Sequence, residues 1–256
     1  MKTLSEISLR PSATPGANVD FLRPGTGHLH LPPGPVQQYR LAQADDYRGL
    51  ARARFPWQAP LTFGLRARAS HAVSPGTWGF GLWNDPMSLS LGFGSGRKLP
   101  ALPNTAWFFF ASPENHLSLR DDRPANGALA GTFRAPHWPA WMLAPGAVAL
   151  PLLFFRPLAR YLRRLAARIV QQDAFALTID PTGWHTYTIR WAREQVTFGV
   201  DGQTVLETDI SPRGPLGLVI WVDNQFAAWR PDGGGQWGVL EGREAFFVEF
   251  EELNIQ

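Results

Sequence analysis

The stretch WHTYTIRWAREQVTFGVDGQTVLET, residues 184 to 208, decides the fold class. Its first half alternates strictly. His185, Tyr187, Ile189 and Trp191 fall on one face and Thr186, Thr188 and Arg190 on the other, the period of a strand with one buried side. Val196, Phe198 and Val200 repeat that spacing, Asp201-Gly202 accepts the positive φ angles of a two-residue turn, and residues 203 to 208 return. This predicts an antiparallel hairpin with an aromatic core face.

Similar strands flank it. LTFGLRARAS, residues 61 to 70, sets Leu61, Phe63, Leu65, Ala67 and Ala69 against Thr62, Gly64, Arg66, Arg68 and Ser70, and GTWGFGLWND follows from residue 76. NTAWFFFAS, residues 104 to 112, is apolar on both faces, as a central strand covered on both sides should be. GHLHLPPG, NHLSLR, GALAGTFRAP, PLGLVIWVDN and EAFFVEFEELNIQ supply further strands. With 25 glycines and 23 prolines in 256 residues, the chain predicts an all-β antiparallel sandwich. Residues 1 to 25, punctuated by Pro11, Pro15 and Pro24, are expected as an irregular arm, and residues 26 to 256 as one domain.

One segment, residues 137 to 173, breaks the pattern. From Pro157 onward Leu158, Tyr161, Leu162, Leu165 and Ile169 recur at helical spacing, while Arg156, Arg160, Arg163, Arg164 and Arg168 occupy much of the remaining surface. Pro157 suits a first turn, where its missing N–H is not needed. The expectation is an inserted, basic, amphipathic helix. It would pack on the sandwich with its arginines in water, close over a groove as a lid, or lie on an anionic membrane beside the uncharged run MLAPGAVALPLLFF.

Composition excludes some chemistry. There is no cysteine, so disulfides and thiolate metal sites are ruled out. A net charge of +3, almost all of its positive part arginine, supplies no clustered footprint for nucleic acid beyond the helix, and no nucleic-acid partner is expected. The first residues carry no secretory apolar run, and no stretch is long enough for a conventional spanning helix. A cytoplasmic protein is therefore expected, with peripheral membrane attachment as the alternative. His28 and His30 stand at chelating spacing without a neighbouring carboxylate or third histidine, so no metal site is assigned. QADDYR, residues 43 to 48, raises structural calcium, although two adjacent aspartates fall short of the about six to eight oxygens that calcium takes.

The residues His185-Thr-Tyr-Thr-Ile-Arg-Trp191 and Val196-Thr-Phe-Gly-Val-Asp201-Gly202 resemble a segment of the concanavalin A-like lectin and glucanase superfamily, as found in family 16 glycoside hydrolases. FGLRARASHAVSPGTWGFGLW is similar to the strand pair ahead of that family's catalytic strand, PLGLVIWVDN to its concave-face strand, and FFVEFEELNIQ to its terminal strand. The resemblance covers residues 60 to 256 apart from the insertion and implies a concanavalin A-like jelly roll. The hydrolases carry Glu-x-Asp-x-x-Glu on a strand that reads Ala-Trp-Phe-Phe-Phe-Ala here, at residues 106 to 111. Retaining hydrolysis needs two carboxyls about 5 to 5.5 Å apart. Glu114, beside Asn115 and His116, is a single acid beyond Pro113. The resemblance implies the scaffold without its paired acids.

On that scaffold, alternation places Val219, Trp221 and Asp223 on the concave face, beside either Trp107 and Phe109 or Phe108 and Phe110, with Trp78 and Trp83 at the rim. Asp223, Asn224, Gln225 and Glu114 are the polar candidates. Most of the 11 tryptophans are expected in the core, and Asx residues after a strand also serve turns. The expected function is non-hydrolytic, lectin-like binding in an aromatic groove, a glycan preferred over other small molecules. The alternatives are an intracellular enzyme or carrier for an isoprenoid- or lipid-like molecule under the helical lid, with Asp223, Glu114 and His116 as acid/base candidates, and a peripheral membrane protein attached through residues 142 to 170.

Overall fold

The structure, a computed structural model, describes residues 7–86, 99, 101–139, 142–143 and 155–256. In chain order the elements are β1 (Arg10–Ala13), β2 (Asn18–Arg23), β3 (Thr26–Leu31), β4 (Leu41–Asp45), β5 (Leu61–Ala69), β6 (Thr77–Trp83), β7 (Thr105–Ala111) and β8 (Gly127–Arg134). Then come α1 (Arg156–Ile169), β9 (Gln171–Ala176), β10 (His185–Trp191), β11 (Val196–Val200), β12 (Gln203–Thr208), β13 (Gly217–Asp223), β14 (Gln225–Trp229), β15 (Gly235–Val239) and β16 (Phe246–Ile255). Two seven-stranded antiparallel sheets face each other, in the orders β1-β4-β13-β6-β7-β8-β9 and β12-β11-β10-β5-β16-β3-β2. The fold is an all-β jelly-roll sandwich.

The opening stretch behaves as its period demands. Tyr187, Ile189 and Trp191 are buried while Thr186 and Arg190 are exposed, and β10 pairs in register with β11 from Tyr187 opposite Val200 to Trp191 opposite Val196. Asp201 and Gly202 adopt φ of 50° and 80°, the left-handed pair that a two-residue hairpin requires. On β5 all five residues of the apolar set are buried, and the opposing sheet supplies Trp78, Phe80 and Leu82 from β6 and Ala106, Phe108 and Phe110 from β7. Aromatic edges meet faces across the layer: Phe108 contacts Tyr187 and Phe198 with centroids 4.9 and 5.5 Å away, while its strand neighbour Phe80 lies tilted against it at 5.6 Å.

Several expectations give way. Within the segment expected as an irregular arm, residues 10–13 and 18–23 form β1 and β2, one edge strand of each sheet. Pro11 is tolerated because β1 has a neighbour on one side only. NHLSLR is a loop rather than a strand. The Asn115 and Ser118 side chains take over backbone pairing there: Asn115 Nδ2 donates to the Gly76 carbonyl at 3.1 Å, and Asn115 Oδ1 accepts the Ala227 N–H at 3.0 Å. Residues 225 to 239, directly after β13, form the hairpin β14–β15.

The insertion holds the expected helix, with Pro157 in its first turn, but its orientation is not the expected one. Ala159 and Arg163 are buried, Leu158, Leu162 and Ile169 are half-buried, and Tyr161 and Leu165 point outward with Arg160, Arg164 and Arg168. Arg163 faces inward because its surroundings are acceptors. It donates to the carbonyls of Trp229 and Ser118, each at 3.0 Å, and pairs with Asp121. Gln171 to Asp173, counted with the insertion, belong to β9. The apolar run ahead of the helix, residues 144–154, lies outside the described residues. Among the described residues no helix is long and apolar enough to cross a membrane.

Phe108 lies at the centre of the core, so Phe108→Ala is expected to lower unfolding free energy by about 3 to 5 kcal/mol in urea titrations. Arg190→Ala, on the wet face of the neighbouring sheet, should change it by less than about 0.5 kcal/mol.

Candidate functional site

The sheet containing β6, β7 and β13 has two unlike faces. Strand β6 reads Thr-Trp-Gly-Phe-Gly-Leu-Trp, so period two sends Trp78, Phe80 and Leu82 into the core and leaves Thr77, Gly79, Gly81 and Trp83 outward. The glycines make room. A Cβ on Gly79 would sit 2.8 Å from Trp221 Cη2, and one on Gly81, whose φ is +150°, would sit 2.8 Å from Trp107 Cβ. Trp107 from β7 and Trp221 from β13 therefore lie against a strand with no side chains beneath them.

The result is a continuous aromatic surface. Trp107 lies 5.0 Å from Phe109, 5.6 Å from Trp221, 6.1 Å from Trp83 and 6.3 Å from Phe133, centroid to centroid. Trp221 in turn is 5.3 Å from Phe109 and nearly parallel to Trp83. Phe109 and Trp221 are buried, while Trp83 and Trp107 remain half-exposed. Of the two pairs that alternation left open on β7, the outward one is Trp107 and Phe109. Trp78 is a correction: it is 1% exposed inside the core, stacked on Phe110 at 3.7 Å.

Asp223 ends this face and is held in a chain of donors. Trp221 Nε1 donates to Thr77 Oγ1 at 3.0 Å, and Thr77 Oγ1 donates to Asp223 Oδ1 at 2.7 Å. The Gln225 N–H reaches the same carboxylate oxygen at 3.3 Å, and the Tyr39 hydroxyl also bonds to Asp223. Burial pushes the Asp223 carboxyl up to about 7 against the opposing pull of these donors. The Tyr39 hydroxyl is raised as well, by its own burial and by the neighbouring carboxylate. Tyr39, Thr77, Gly79 and Gly81 were not singled out from sequence. The glycines were detectable, since small residues alternate with large ones along β6, whereas nothing local links Tyr39 to a residue far along the chain.

The remaining candidates scatter. Asn224 is buried and fully engaged, its Oδ1 accepting the Arg40 N–H at 2.8 Å and its Nδ2 donating to the Leu240 and Gln38 carbonyls at 2.8 and 3.0 Å. It tethers loops and has no polar atom to offer a ligand. Gln225 is half-buried at the start of β14. Glu114 is exposed on the turn after β7. His116 is bonded through its backbone to Ala227 and Trp229, and burial with the nearby Arg163 and Arg230 charges lowers its pKa. Among the described residues no hydrogen bond joins Asp223, Glu114 and His116. The calcium expectation also fails on geometry. Asp45 takes Arg48 and Gln43, whereas Asp46 takes the Trp57 indole and the Leu218 N–H on the other side of the strand, so the two carboxylates diverge.

No family model matches the chain, and no curated protein matches it. Solved structures do. A family 16 endo-glucanase from Bacteroides ovatus, determined in complex with G4G3G-2F-DNP, is 10% identical, with 98% of this chain and 95% of that one covered and a TM-score of 0.50. The fold is glucanase-like. A family 16 glycosyl hydrolase from Mycobacterium smegmatis matches at 10% identity over 98% and 93% of the two chains, with a TM-score of 0.48. A β-glucanase from Bacillus licheniformis matches at 11% over 94% and 89%, with a TM-score of 0.45. Identities this low speak for the scaffold alone.

On this glucanase-like sheet the outward side chains of β7 are Thr105, Trp107, Phe109 and Ala111, without a carboxylate. Among the described strand residues of this sheet, the acids at outward positions are Asp45 and Asp223. Asp45 stands opposite Val219, four residues from Asp223 along β13, which is about 13 Å at the usual strand rise. Two carboxyls flanking one glycosidic bond lie closer than that in both retaining and inverting mechanisms.

A carboxyl titrating near 7 in the fold, against an ordinary 3.8, binds its proton more tightly when folded. Its stabilising contribution is full below about pH 4 and is lost as pH rises through about 7. In urea titrations across that range Asp223→Asn is expected to flatten the decline, leaving a smaller slope from Asp46, which burial raises to about 6.

Proposed function

We propose that the protein binds a glycan on the outer aromatic face of the β6–β7–β13 sheet without hydrolysing it. The observation that carries this reading is the pair Trp83 and Trp107, half-exposed and backed by Phe109, Phe133 and Trp221 on strands that fix their ring planes. Rigid indoles offer flat apolar surface to the C–H face of a sugar ring at small entropic cost. The Trp107 indole N–H has no protein acceptor among the described residues, which leaves a donor for a hydroxyl. The glucanase-like scaffold agrees with a carbohydrate ligand, and the outward residues of β7 supply no nucleophile or acid.

A carrier of hydrophobic molecules closed by the helix is less well supported. The most deeply buried residues of α1 are Ala159 and Arg163, with Leu158, Leu162 and Ile169 only half-buried at its sides. Such a lid would place a buried, fully bonded arginine where an apolar ligand needs hydrocarbon.

Titrating a panel of β-linked oligosaccharides should quench tryptophan emission for at least one member, with no new reducing ends released. Trp107→Ala should weaken that binding about tenfold, the effect of losing one stacking plate. Emission that stays unchanged across the whole panel would count decisively against glycan binding. Release of reducing ends would overturn the non-hydrolytic half of the proposal.

A further inference from the structure

Two of the larger apolar side chains of helix α1 face away from the fold, which a helix that only packs on its own sandwich does not need. Tyr161 is 63% exposed and Leu165 41%, one turn apart on the outward face, and Phe155 is exposed at the helix start. A surface helix normally buries its bulky stripe and leaves its charges in water. Here the fold takes the small Ala159 and one arginine, Arg163, most deeply, with Leu158, Leu162 and Ile169 half-buried beside them, and leaves Tyr161 and Leu165 outside.

The charges follow the same division. Arg156, Arg160, Arg164 and Arg168 recur every four residues and are all exposed, and the helix contains no acidic residue. Arg163 is paired with Asp121, and Arg156 feels the nearby Asp232. Arg160, Arg164 and Arg168 have no ion-pair partner among the described residues. The outward face is therefore a tyrosine and a leucine beside three unpaired guanidinium groups.

We infer that this face docks on an anionic lipid surface. Tyr161 and Leu165 would enter the boundary between headgroups and acyl chains, while Arg160, Arg164 and Arg168 meet lipid phosphates. Guanidinium forks suit phosphate oxygens, and the long arginine stems lie along apolar surface while their heads stay wet. A second copy of the chain is the wrong occupant, because a two-fold contact would set arginine against arginine. Extended polyanions would satisfy the arginines but would leave Tyr161 and Leu165 without a role. The inference is independent of the glycan reading, since none of these helix residues belongs to the aromatic face of the sheet.

Co-sedimentation of the full chain with vesicles tests it. Binding is expected to vesicles containing phosphatidylglycerol and not to pure phosphatidylcholine, and to weaken as salt rises. The triple variant Arg160→Gln, Arg164→Gln, Arg168→Gln should lower partitioning about a hundredfold, at roughly one headgroup contact per arginine. The double variant Tyr161→Ser, Leu165→Ser should lower it about tenfold while leaving binding to heparin, an anionic polymer, unchanged. All five residues are exposed, so both variants should keep the parent thermal midpoint, and that is measured first. No binding to phosphatidylglycerol vesicles, equal binding to both vesicle types, or a double variant that binds phosphatidylglycerol like the parent would each overturn the inference.

Discussion

The aromatic face depends on a steric constraint in β6: the two central of its four outward positions have no side chain. Gly79 and Gly81 leave a shallow bed between β13 and β7, and Trp221 and Trp107 occupy it from opposite sides. Close packing makes the arrangement mutual, because the indoles fill the volume that side chains on β6 would otherwise take. The inward side of the same strand carries Trp78, Phe80 and Leu82, so one strand contributes bulk to the core and a floor to the outer surface. Thr77 at its end completes the link, accepting from Trp221 and donating to Asp223.

Asp223 illustrates how far a raised pKa can be read. A buried carboxyl near 7 is poised for proton transfer, and in a cleft that alone would make it a catalytic candidate. Its partners tell a more structural story, since Thr77, Tyr39 and the Gln225 N–H all converge on it. Glycosidic cleavage by acid and base needs a second carboxyl across the bond, and Asp45, the other outward acid on the described strands of this sheet, is several strand positions away and tied to Arg48. The geometry fits a residue that holds the Trp221 ring in place through Thr77 better than one that reacts.

Much of the sandwich was legible in the sequence because strand alternation is a local property. Residues 184 to 208 and β5 show period two plainly, and the Asp-Gly turn has a stereochemical reason. The outer face was partly legible: the alternation of Val219, Trp221 and Asp223 on one side follows from the same period, but the choice between the two faces of β7 does not, since both are aromatic. Trp78 misled because a strand of alternating tryptophan, phenylalanine and glycine does not announce which side is the core. The short β1 and β2 were hidden by prolines that edge positions tolerate, and the loop at Asn115 by side chains that replace strand pairing.

The helix shows a different limit. Helical period identified the element and its two kinds of side chain, but period alone does not tell which stripe meets the protein. What turned α1 is the set of acceptors opposite it: the carbonyls of Ser118 and Trp229, which would be stranded against leucine, with the exposed carboxylate of Asp121 beside them. One arginine satisfies all three with its fork of donors. Placing Arg163 inward carries Ala159, one turn before it, inward as well and swings Tyr161 and Leu165 outward. The exposed apolar pair thus follows from a polar anchor on the opposite side of the helix. A hydrophobic substitution at 163 would both strand those acceptors and remove the reason for the present orientation.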